Sequence, residues 1–249
     1  MSAGERVRHA GAPSRIVVDD LGGAHVAIEG SEADHLRKAL RVRLGEHVTA
    51  TDGRGTRATL EITGFHKHVV EARVIARRQE PMPRTRLWLA TAADGPRFDW
   101  LVEKSVELGA FGLLGFAPGH GGSPRSDRWE RVARAALGQS LGSWALRLGV
   151  TPGAKEAVEA GEPGGEAWES VLVADPDGAS GGPAPPGLAV EGAHLLLAGP
   201  PEGFNDRDRD FLRTLPETGR IRLGERRLRS ETAALALLVW TSLQAERGA

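Results

Sequence analysis

The first third of the chain alternates apolar and polar residues in short runs. Four of these runs are rich in β-branched residues and have a period of two, which is typical of strands with one buried face. They cover residues 15–18, 47–51, 56–63 and 69–76. Turn residues separate the runs at 21–23, at 52–55 and at Gly64. This pattern predicts a small β-rich domain over residues 1–80.

One segment of this region has helical spacing instead. Ala33, Leu36 and Leu40 recur on one face of a helix, so we expect them to point into the core. Ser31 lies where the N-cap of such a helix would be, with an acidic residue, Asp34, three positions later. The β-rich domain is therefore predicted to carry one helix among its strands.

The pattern changes after a pair of prolines. Pro81 and Pro83 indicate a linker, and the remainder, residues 85–249, alternates strands with helices. The predicted strands cover 87–92, 111–116, 170–174, 193–198 and 219–223. The predicted helices cover 98–108, 127–141, 206–214 and 230–245. This order favours an α/β domain with a mostly parallel sheet that helices cover on both faces.

Composition excludes several classes of protein. The 32 basic and 33 acidic residues give a net charge of -1, so binding to nucleic acid would need a local basic patch. No cysteine is present, which excludes disulfides, thiolate metal sites and a cysteine nucleophile. The histidines lack metal-ligand spacing, so we expect no metal. No apolar run is long enough for a signal peptide or a membrane span, and we expect a soluble, cytoplasmic protein.

Two glycine-bearing loops are the candidate ligand sites. The loop from Gly199 to Gly203 follows an apolar strand and precedes a helix, and ligands of open α/β sheets bind beyond the carboxyl ends of such strands. An ordinary strand-to-helix turn explains this loop equally well. The loop from Leu223 to Leu228 follows the last predicted strand, and Ser230 or Thr232 is expected to cap the next helix. On physical grounds alone, a capped helix with solvated arginines is the simpler explanation of this second loop.

Basic residues of the first domain are a third candidate site. Arg37 and Arg41 are one helical turn apart and Lys38 adjoins Arg37, a spacing that suits contacts with phosphates. A charge stripe of this kind is more often a solvated helix face. The residues that we expect to bind RNA, with one cation beyond the linker, are Arg15, His35, Arg37, Lys38, Arg41 and Arg97.

Five motifs occur in an order that resembles one known family. They are Asp34-His35-Leu36-Arg37-Lys38-Ala39-Leu40-Arg41, Asp52-Gly53, Glu103-Lys104-Ser105-Val106-Glu107-Leu108-Gly109, Gly199-Pro200 with Gly203-Phe204, and Leu223-Gly224 with Leu228-Arg229-Ser230-Glu231-Thr232-Ala233-Ala234. Their order is similar to that of the RsmE family, the 16S ribosomal RNA uridine N3-methyltransferases. The resemblance covers nearly the whole chain, and the last motif is its most specific part.

The resemblance implies an N-terminal PUA-like RNA-binding β-barrel and a C-terminal SPOUT domain that ends in a trefoil knot. It also implies S-adenosyl-L-methionine as the cofactor and ribosomal RNA or the small ribosomal subunit as the partner. The cofactor would lie among three loops, which follow residues 173, 198 and 222. The cofactor-binding residues implied in this way are Val173, Leu197, Ala198, Gly199, Pro200, Gly203, Leu223, Gly224, Leu228, Ser230 and Thr232.

The last motif also implies the catalytic groups. Transfer of a methyl group to a uracil ring nitrogen requires alignment of the reactants and stabilisation of the charge that develops on the ring. Arg229 is expected to supply the stabilising cation. Glu231 is expected to orient Arg229 and the start of the helix.

The predicted helix 230–245 carries apolar residues on more than one face. A surface helix of a monomer needs only one apolar stripe against its core. The surplus indicates either an interface with a second subunit or full burial within one chain. The resemblance favours a homodimer through the knot region, because the family's knot helix packs against its two-fold mate.

Two departures from the family pattern keep other functions open. The family's Gly-Pro-Glu-Gly-Gly loop is Gly199-Pro200-Pro201-Glu202-Gly203 here, which places Glu202 at a glycine position. Residues 138–142 are Gly-Gln-Ser-Leu-Gly and lack the acid and the arginine of the family motif. Two alternatives therefore stand beside the uridine methyltransferase. One is a divergent SPOUT enzyme that methylates another RNA site or a small molecule, and the other is a non-catalytic relative that binds RNA or the cofactor.

Overall fold

The computed structural model describes residues 15–92, 95–117, 126–180, 191–215 and 219–248. Within these ranges the chain forms two compact units. The first contains the described residues up to Met82 and, in addition, Arg134–Ala145. The second contains Pro83–Ala133 and the residues from Leu146 onward. The segment 134–145, which the sequence pattern places in the second domain, thus clusters with the first unit.

A five-stranded sheet forms the first unit, in the order β1-β3-β4-β5-β2. Its strands are β1 (Ile16–Val17), β2 (His25–Ile28), β3 (His47–Thr51), β4 (Thr56–Phe65) and β5 (Val70–Gln79). β1 runs parallel to β3, and the other neighbours are antiparallel. Ile16 and Ile28 from the two edge strands join one core cluster with Leu60 and Val70 of the central strands. The sheet therefore curls around its core.

The sequence pattern located four of these strands and missed β2. β2 has only four residues with alternating burial, which is too short for a clear period. The turn predicted at Gly64 is wrong, because this glycine lies inside β4 at a register shift against β5. Glycine inside a strand commonly marks a bulge of this kind.

Helix α1 (Gly30–Asp34) continues directly into a π-helical turn, His35–Ala39. Ala33 and Leu36 are buried and Leu40 packs against the same core, as predicted. The predicted N-cap is wrong, because Glu29 occupies the cap position without a side-chain hydrogen bond and Ser31 lies inside the helix. The helix starts earlier than expected because Gly30, with a φ of 59°, turns the chain directly from β2 into the helix.

The segment 134–145 accepts hydrogen bonds, through its main-chain carbonyls, from Arg15, the residue that precedes β1. The Arg15 amide donates to the Gly138 carbonyl at 3.0 Å, and the Arg15 guanidinium donates to the carbonyls of Leu141 and Gly142 at 2.5 and 2.7 Å. A Cβ atom at position 138 would lie 2.4 Å from the Arg15 carbonyl oxygen, so only glycine fits there. The segment that departs from the family motif therefore has a packing role within the first unit.

A six-stranded sheet forms the second unit, in the order β11-β9-β10-β6-β7-β8. Every neighbouring pair in it is parallel, as predicted. Its strands are β6 (Thr85–Ala92), β7 (Gly112–Phe116), β8 (Arg147–Thr151), β9 (Ser170–Ser180), β10 (Gly192–Ala198) and β11 (Arg220–Arg222). The further α-helices among the described residues are α2 (Gly95–Glu107), α3 (Ser126–Ser140), α4 (Ala154–Ala160), α5 (Asp206–Leu212) and α6 (Ser230–Gly248).

The sequence pattern missed β8 and α4, and it predicted an end for α2 one residue too late. β8 is an edge strand without alternating burial, and α4 has only seven residues, so neither carries a clear period. Leu108, the last residue of the helix predicted over 98–108, is 41 % exposed. The helix ends at Glu107, and Gly109, with a φ of 75°, turns the chain away before Leu108 can pack.

The centre of the second sheet is buried by helices. Trp88, Leu195 and Leu197 are at most 1 % exposed and share one core cluster with Val173 and Ala154. Helix α6 packs on β6 and β10 and on helix α2. No helix in the described part of the chain is long and apolar enough to cross a membrane.

An ion pair between Arg86 and Glu162 is buried in this unit, with side-chain exposures of 10 % and 6 %. The guanidinium donates to both carboxylate oxygens, at 2.9 and 2.8 Å, and Trp88 Nε1 donates to the same carboxylate at 3.0 Å. Glu166, which is exposed, accepts a further bond from Arg86 at 2.6 Å. Burial raises the pKa of Glu162, but the hydrogen bonds and the charge of Arg86 outweigh burial and hold this pKa below its usual value.

Candidate functional site

The carboxyl ends of β9, β10 and β11 meet at one edge of the parallel sheet, where they surround a cavity of about 880 Å³. Three segments of chain line it, at 174–177, 199–204 and 220–228. Residues of α5 and of the first turn of α6 complete the wall. The edge at which parallel strands end is the usual place for a ligand in an α/β sheet.

The first wall segment is a bulge in β9. Arg220 of β11 pairs with Val173, and the next β11 residue pairs with Ala179, so residues 174–178 intervene without a β11 partner. An ion pair of 2.8 Å between Arg220 and Asp175 holds this bulge against β11. A Cβ atom on Gly178 would lie 2.7 Å from the Arg220 main chain, so glycine is required where the bulge rejoins the strand.

The second wall segment is the loop from Gly199 to Phe204. The Gly203 amide donates to the Pro200 carbonyl at 2.8 Å, which closes a tight turn. Gly203 has a φ of 91°, a conformation that favours glycine. The Phe204 ring would lie 3.2 Å from a Cβ atom at Gly199. Glu202, the departure from the family pattern, is exposed and lies on the cavity wall.

The third wall segment, Leu223 to Leu228, is tied to the second. The Arg227 guanidinium donates to the Pro201 carbonyl at 2.8 Å, and this bond joins the two loops. Gly224, with a φ of 157°, has open space around it. Arg226 lies on the cavity wall, and its side chain has no partner within the described residues.

Helix α6 begins at the cavity with unsatisfied polar groups. The Ala233 amide donates to the Arg229 carbonyl at 2.8 Å, so Arg229 occupies the N-cap position. The predicted caps are therefore wrong, since neither Ser230 nor Thr232 bonds to the first turn. Ser230 is 8 % exposed, and its hydroxyl has no hydrogen-bond partner within the described part of the chain. An uncapped helix start presents free N–H groups and a positive potential to the cavity.

The structure places most of the expected cofactor-binding residues on this cavity. Those that line it are Gly199, Pro200, Gly203, Leu223, Gly224, Leu228 and Ser230. Val173, Leu197 and Ala198 are at most 2 % exposed, and they form the strand ends below the cavity instead of its surface. Thr232 is exposed and does not line the cavity.

The expected catalytic pair is not in contact. Glu231 Oε1 lies 3.8 Å from Nε of Arg97, and this ion pair replaces the expected contact with Arg229. Arg229 is exposed, has no side-chain partner within the described ranges, and does not line the cavity. Arg97, expected to bind RNA, is thus brought to the start of α6. Sequence spacing could not show this, because the two residues are 134 positions apart.

The basic residues of the first unit differ in how free their charges are. Arg37 donates to the carbonyls of Lys67 and Val69, at 3.1 and 2.7 Å, and to that of His66, and it lies over the Phe65 ring. Arg15 is bonded to the segment 134–145, and burial lowers its pKa. Lys38 forms an exposed ion pair with Asp34 at 3.0 Å. His35 and Arg41 are exposed, and Arg41 has no side-chain partner among the described residues.

Sequence reasoning missed several charged residues on the cavity wall. These are Asp175, Asp177, Arg209, Arg213, Arg220 and Arg222. The positions of Asp175 and Asp177 after an apolar strand were the available signal, but the bulge that turns them into the wall has no sequence signature. The residues described by the structure contain no group of acidic or histidine side chains that could hold a metal ion.

Two family models match successive parts of the chain. A family model described as an RNA methyltransferase domain matches residues 80–242, which is more than half of the chain. The chain belongs to this RNA methyltransferase family. A second model, described as the PUA domain of RNA methyltransferases, matches residues 28–75. The expected resemblance, the PUA-like first domain and the RNA methyltransferase activity class are confirmed by these matches.

Individual members of the family resemble the chain over nearly its whole length. Ribosomal RNA small subunit methyltransferase E of Bacillus subtilis (strain 168) is 23 % identical over 239 residues, covering 88 % of this chain and 90 % of that protein. The structure of its namesake from Neisseria gonorrhoeae, bound to S-adenosyl methionine, is 23 % identical with a TM-score of 0.73, covering 93 % and 98 %. A probable rRNA-methyltransferase from Porphyromonas gingivalis is 24 % identical with a TM-score of 0.75, covering 95 % and 100 %. These structures share the fold of this chain.

Proposed function

We propose that this chain transfers a methyl group from S-adenosyl-L-methionine to N3 of a uracil in 16S ribosomal RNA. The observation that carries the proposal is the cavity of about 880 Å³ at the strand ends, in a chain of the RNA methyltransferase family. The loops that line this cavity are those to which the resemblance assigns the cofactor. The name of the Bacillus relative and the cofactor bound in the gonococcal structure support the same activity.

The cavity suits S-adenosylmethionine in size and in chemistry. Ligand sites commonly have volumes of roughly 300–1,000 Å³. The free N–H groups at the start of α6 suit a carboxylate. The carboxylate of Glu225 on the wall suits the ammonium or sulfonium charge. The open main chain at Gly203 and Gly224 permits close approach of a flat ring.

S-adenosylmethionine supplies an electrophilic methyl group on a sulfonium sulfur. The residues of this chain must then hold the acceptor in line and stabilise the charge that develops on the uracil ring. Arg229 remains our proposed cation for this charge, because its guanidinium has no partner in the described structure and is free to approach a bound nucleotide. Glu231 positions the start of the helix through its ion pair with Arg97.

RNA docking is assigned to the first domain, residues 1–80, and methyl transfer to the domain 85–249. Lys38 and Arg41 are the main candidates for phosphate contacts because their charged groups are exposed, and His35 is a further candidate because its ring is exposed. Arg15 and Arg37 are weaker candidates, since their guanidinium groups are bonded to main-chain carbonyls. Ribosomal RNA as the substrate places the proposed activity in the cytoplasm.

We also propose the trefoil knot of the SPOUT class and a homodimer through α6. Val239 and Leu243 of α6 are 39 % and 50 % exposed, and Trp100 of α2, the helix that packs on α6, is 45 % exposed. Val239 and Leu243 are one helical turn apart and share one face, and exposed apolar side chains on one face are the usual mark of an interface. A second subunit on this face would cover them.

Glu202 favours a second candidate function. The family has a glycine where this carboxylate stands on the cavity wall, and a side chain there changes the space and the charge that a ligand meets. A divergent enzyme of the same fold that methylates another RNA site or a small molecule would explain the change.

Calorimetric titration with S-adenosylmethionine tests the cofactor assignment without an RNA substrate. We expect saturable binding of one cofactor per chain, with competition by S-adenosylhomocysteine. The exposed Glu191→Gln variant, which lies outside the cavity, serves as a matched control and should bind equally. Absence of binding at millimolar cofactor would contradict the proposal and favour a non-catalytic RNA-binding relative.

A further inference from the structure

A second, smaller pocket of about 30 Å³ lies next to the cofactor cavity. Its walls come from the end of β6, the first turns of α2 and the start of α6. Pro201 and Ser230 line both spaces, so the pocket and the cavity share a wall at these two residues. This volume holds one or two groups of the size of a water molecule. It therefore suits the polar edge of a planar ring, with the rest of the ring lying outside the pocket towards solvent.

Four polar side chains of the pocket make no hydrogen bond within the described part of the chain. Thr91 and Ser230 are 1 % and 8 % exposed, and neither hydroxyl has a partner. Arg97 Nε and Glu231 Oε1 are 3.8 Å apart, which is close enough for attraction between charges but too far for a hydrogen bond. Buried hydroxyls without a partner are rare in folded proteins. Their presence on one small pocket therefore indicates a ligand that supplies the missing bonds.

The hydrogen-bond donors and acceptors of the pocket identify which edge of a nucleobase fits it. The Arg97 guanidinium only donates, the Glu231 carboxylate only accepts, and the two hydroxyls can donate. The imide edge of uracil presents one donor, N3–H, between two carbonyl acceptors, so it pairs with an acceptor flanked by donors. The same edge of cytosine has an unprotonated N3 that would face the carboxylate lone pairs.

We propose that this pocket is the subsite for the acceptor base, and that Arg97 and Glu231 select uracil and hold its N3 at the wall shared with the cofactor cavity. The inference rests on the proposed function and deepens it, because it names the groups that recognise the base. Arg97 thereby gains a role in contact with the reacting base, in addition to its ion pair with Glu231.

These groups account for every bond and proton in the transfer of the methyl group to N3. The N3 lone pair forms the new nitrogen–carbon bond while the methyl–sulfur bond breaks, and the electron pair of that bond stays on sulfur. N3 loses its proton to the Glu231 carboxylate, which releases it to solvent through the open side of the pocket, where the Arg97 side chain is 59 % exposed. Arg97, at the pocket wall, shares with the free Arg229 the stabilisation of the negative charge that accumulates on the ring carbonyls as the proton leaves.

Steady-state methylation of small ribosomal subunits, taken from a strain that lacks the corresponding enzyme, tests this assignment. Arg97→Ala should lower kcat about 100-fold, the usual effect of removing one donor to developing charge, and Arg97→Lys should recover part of the loss. Glu231→Gln should lower kcat about 100-fold at neutral pH. Its rate should rise with pH more steeply than that of the wild type, because N3 ionises unaided at high pH.

Cofactor affinity separates this role from a structural one. Both variants should bind S-adenosylmethionine as the wild type does in a calorimetric titration and should melt at the wild-type temperature. Arg84→Ala is the matched control, because Arg84 forms an exposed ion pair with Glu191 outside both spaces and should keep the wild-type rate.

Different results would contradict the methyltransferase function and the acceptor subsite. A wild-type chain that methylates no uracil in the subunits would overturn the proposed function itself. An active wild type whose Arg97→Ala and Glu231→Gln variants keep full rate would overturn the acceptor subsite alone. Loss of cofactor binding in either variant would also overturn it, since the pair would then act through the cofactor cavity.

Discussion

Replacing Glu162 by glutamine should destabilise the methyltransferase domain, because it leaves the buried Arg86 guanidinium without its main counter-charge. The two side chains are 10 % and 6 % exposed and share two hydrogen bonds below 3.0 Å. Removing one partner of a buried pair typically costs about 3–5 kcal/mol. Glu166 still accepts a bond from Arg86, so we expect the lower end, about 3 kcal/mol.

Thermal unfolding followed by circular dichroism measures this loss. A domain of this size shifts by roughly 2–4 °C for each kcal/mol, so the melting temperature should fall by about 6–12 °C. Glu191→Gln, which breaks an exposed ion pair with Arg84, should change stability by less than about 1 kcal/mol. The Arg86→Met, Glu162→Gln double variant should recover part of the loss, because it removes the uncompensated charge.

The same ion pair makes the stability of the fold depend on pH, in a direction that can be predicted. The pKa of Glu162 is held below its usual value, so the carboxylate stabilises the fold above the pKa of the unfolded chain. This contribution is lost as the pH falls through the folded-state pKa. The difference between wild type and Glu162→Gln should be largest at neutral pH and shrink in acid. Equal losses in the Glu162 and Glu191 variants, or a difference that grows in acid, would refute the reasoning.

Three further predictions concern the cofactor, RNA and assembly. Glu202→Gly should tighten S-adenosylmethionine binding in calorimetry if the carboxylate narrows the cavity, and unchanged or weaker binding would show that it does not. Lys38→Ala with Arg41→Ala should weaken binding of ribosomal RNA and lower its logarithmic salt slope by roughly two units, and an unchanged slope would make them solvated charges. Val239→Asp with Leu243→Asp should convert a homodimer into a monomer in light scattering, whereas a wild-type monomer of 26.5 kDa would contradict the dimer.

Periodicity in the sequence predicted those elements that are long or strongly patterned. The buried parallel strands β6 and β10 are continuous apolar runs, and the loop after β10 begins at Gly199, so this strand and its candidate site could be located together. The sequence pattern did not predict β8 and α4, because a short edge strand and a seven-residue helix have no clear period. The first wall segment of the cavity could not be predicted either. It is a bulge in β9 that depends on pairing with β11, and no local sequence pattern encodes that pairing.

Side-chain partnerships were the least predictable part of the site. The motif around Arg229 and Glu231 suggested that these neighbours act together, but the helix start turns Glu231 towards Arg97 instead. A difference of two positions changes direction sharply at a loop-to-helix boundary, so spacing alone cannot decide the contact. Arg37 was likewise expected to face RNA, whereas the adjacent hairpin offers its guanidinium three carbonyls.

Nucleoside mass spectrometry tests methylation of uracil N3 most directly. Small ribosomal subunits from a strain without the corresponding enzyme would be incubated with the purified chain and S-adenosylmethionine, and their 16S RNA digested and mapped. We predict one new 3-methyluridine per subunit, dependent on both the chain and the cofactor. A methyl group on another base or on ribose would contradict the uracil assignment, and no methyl group at all would contradict the proposed activity on ribosomal RNA.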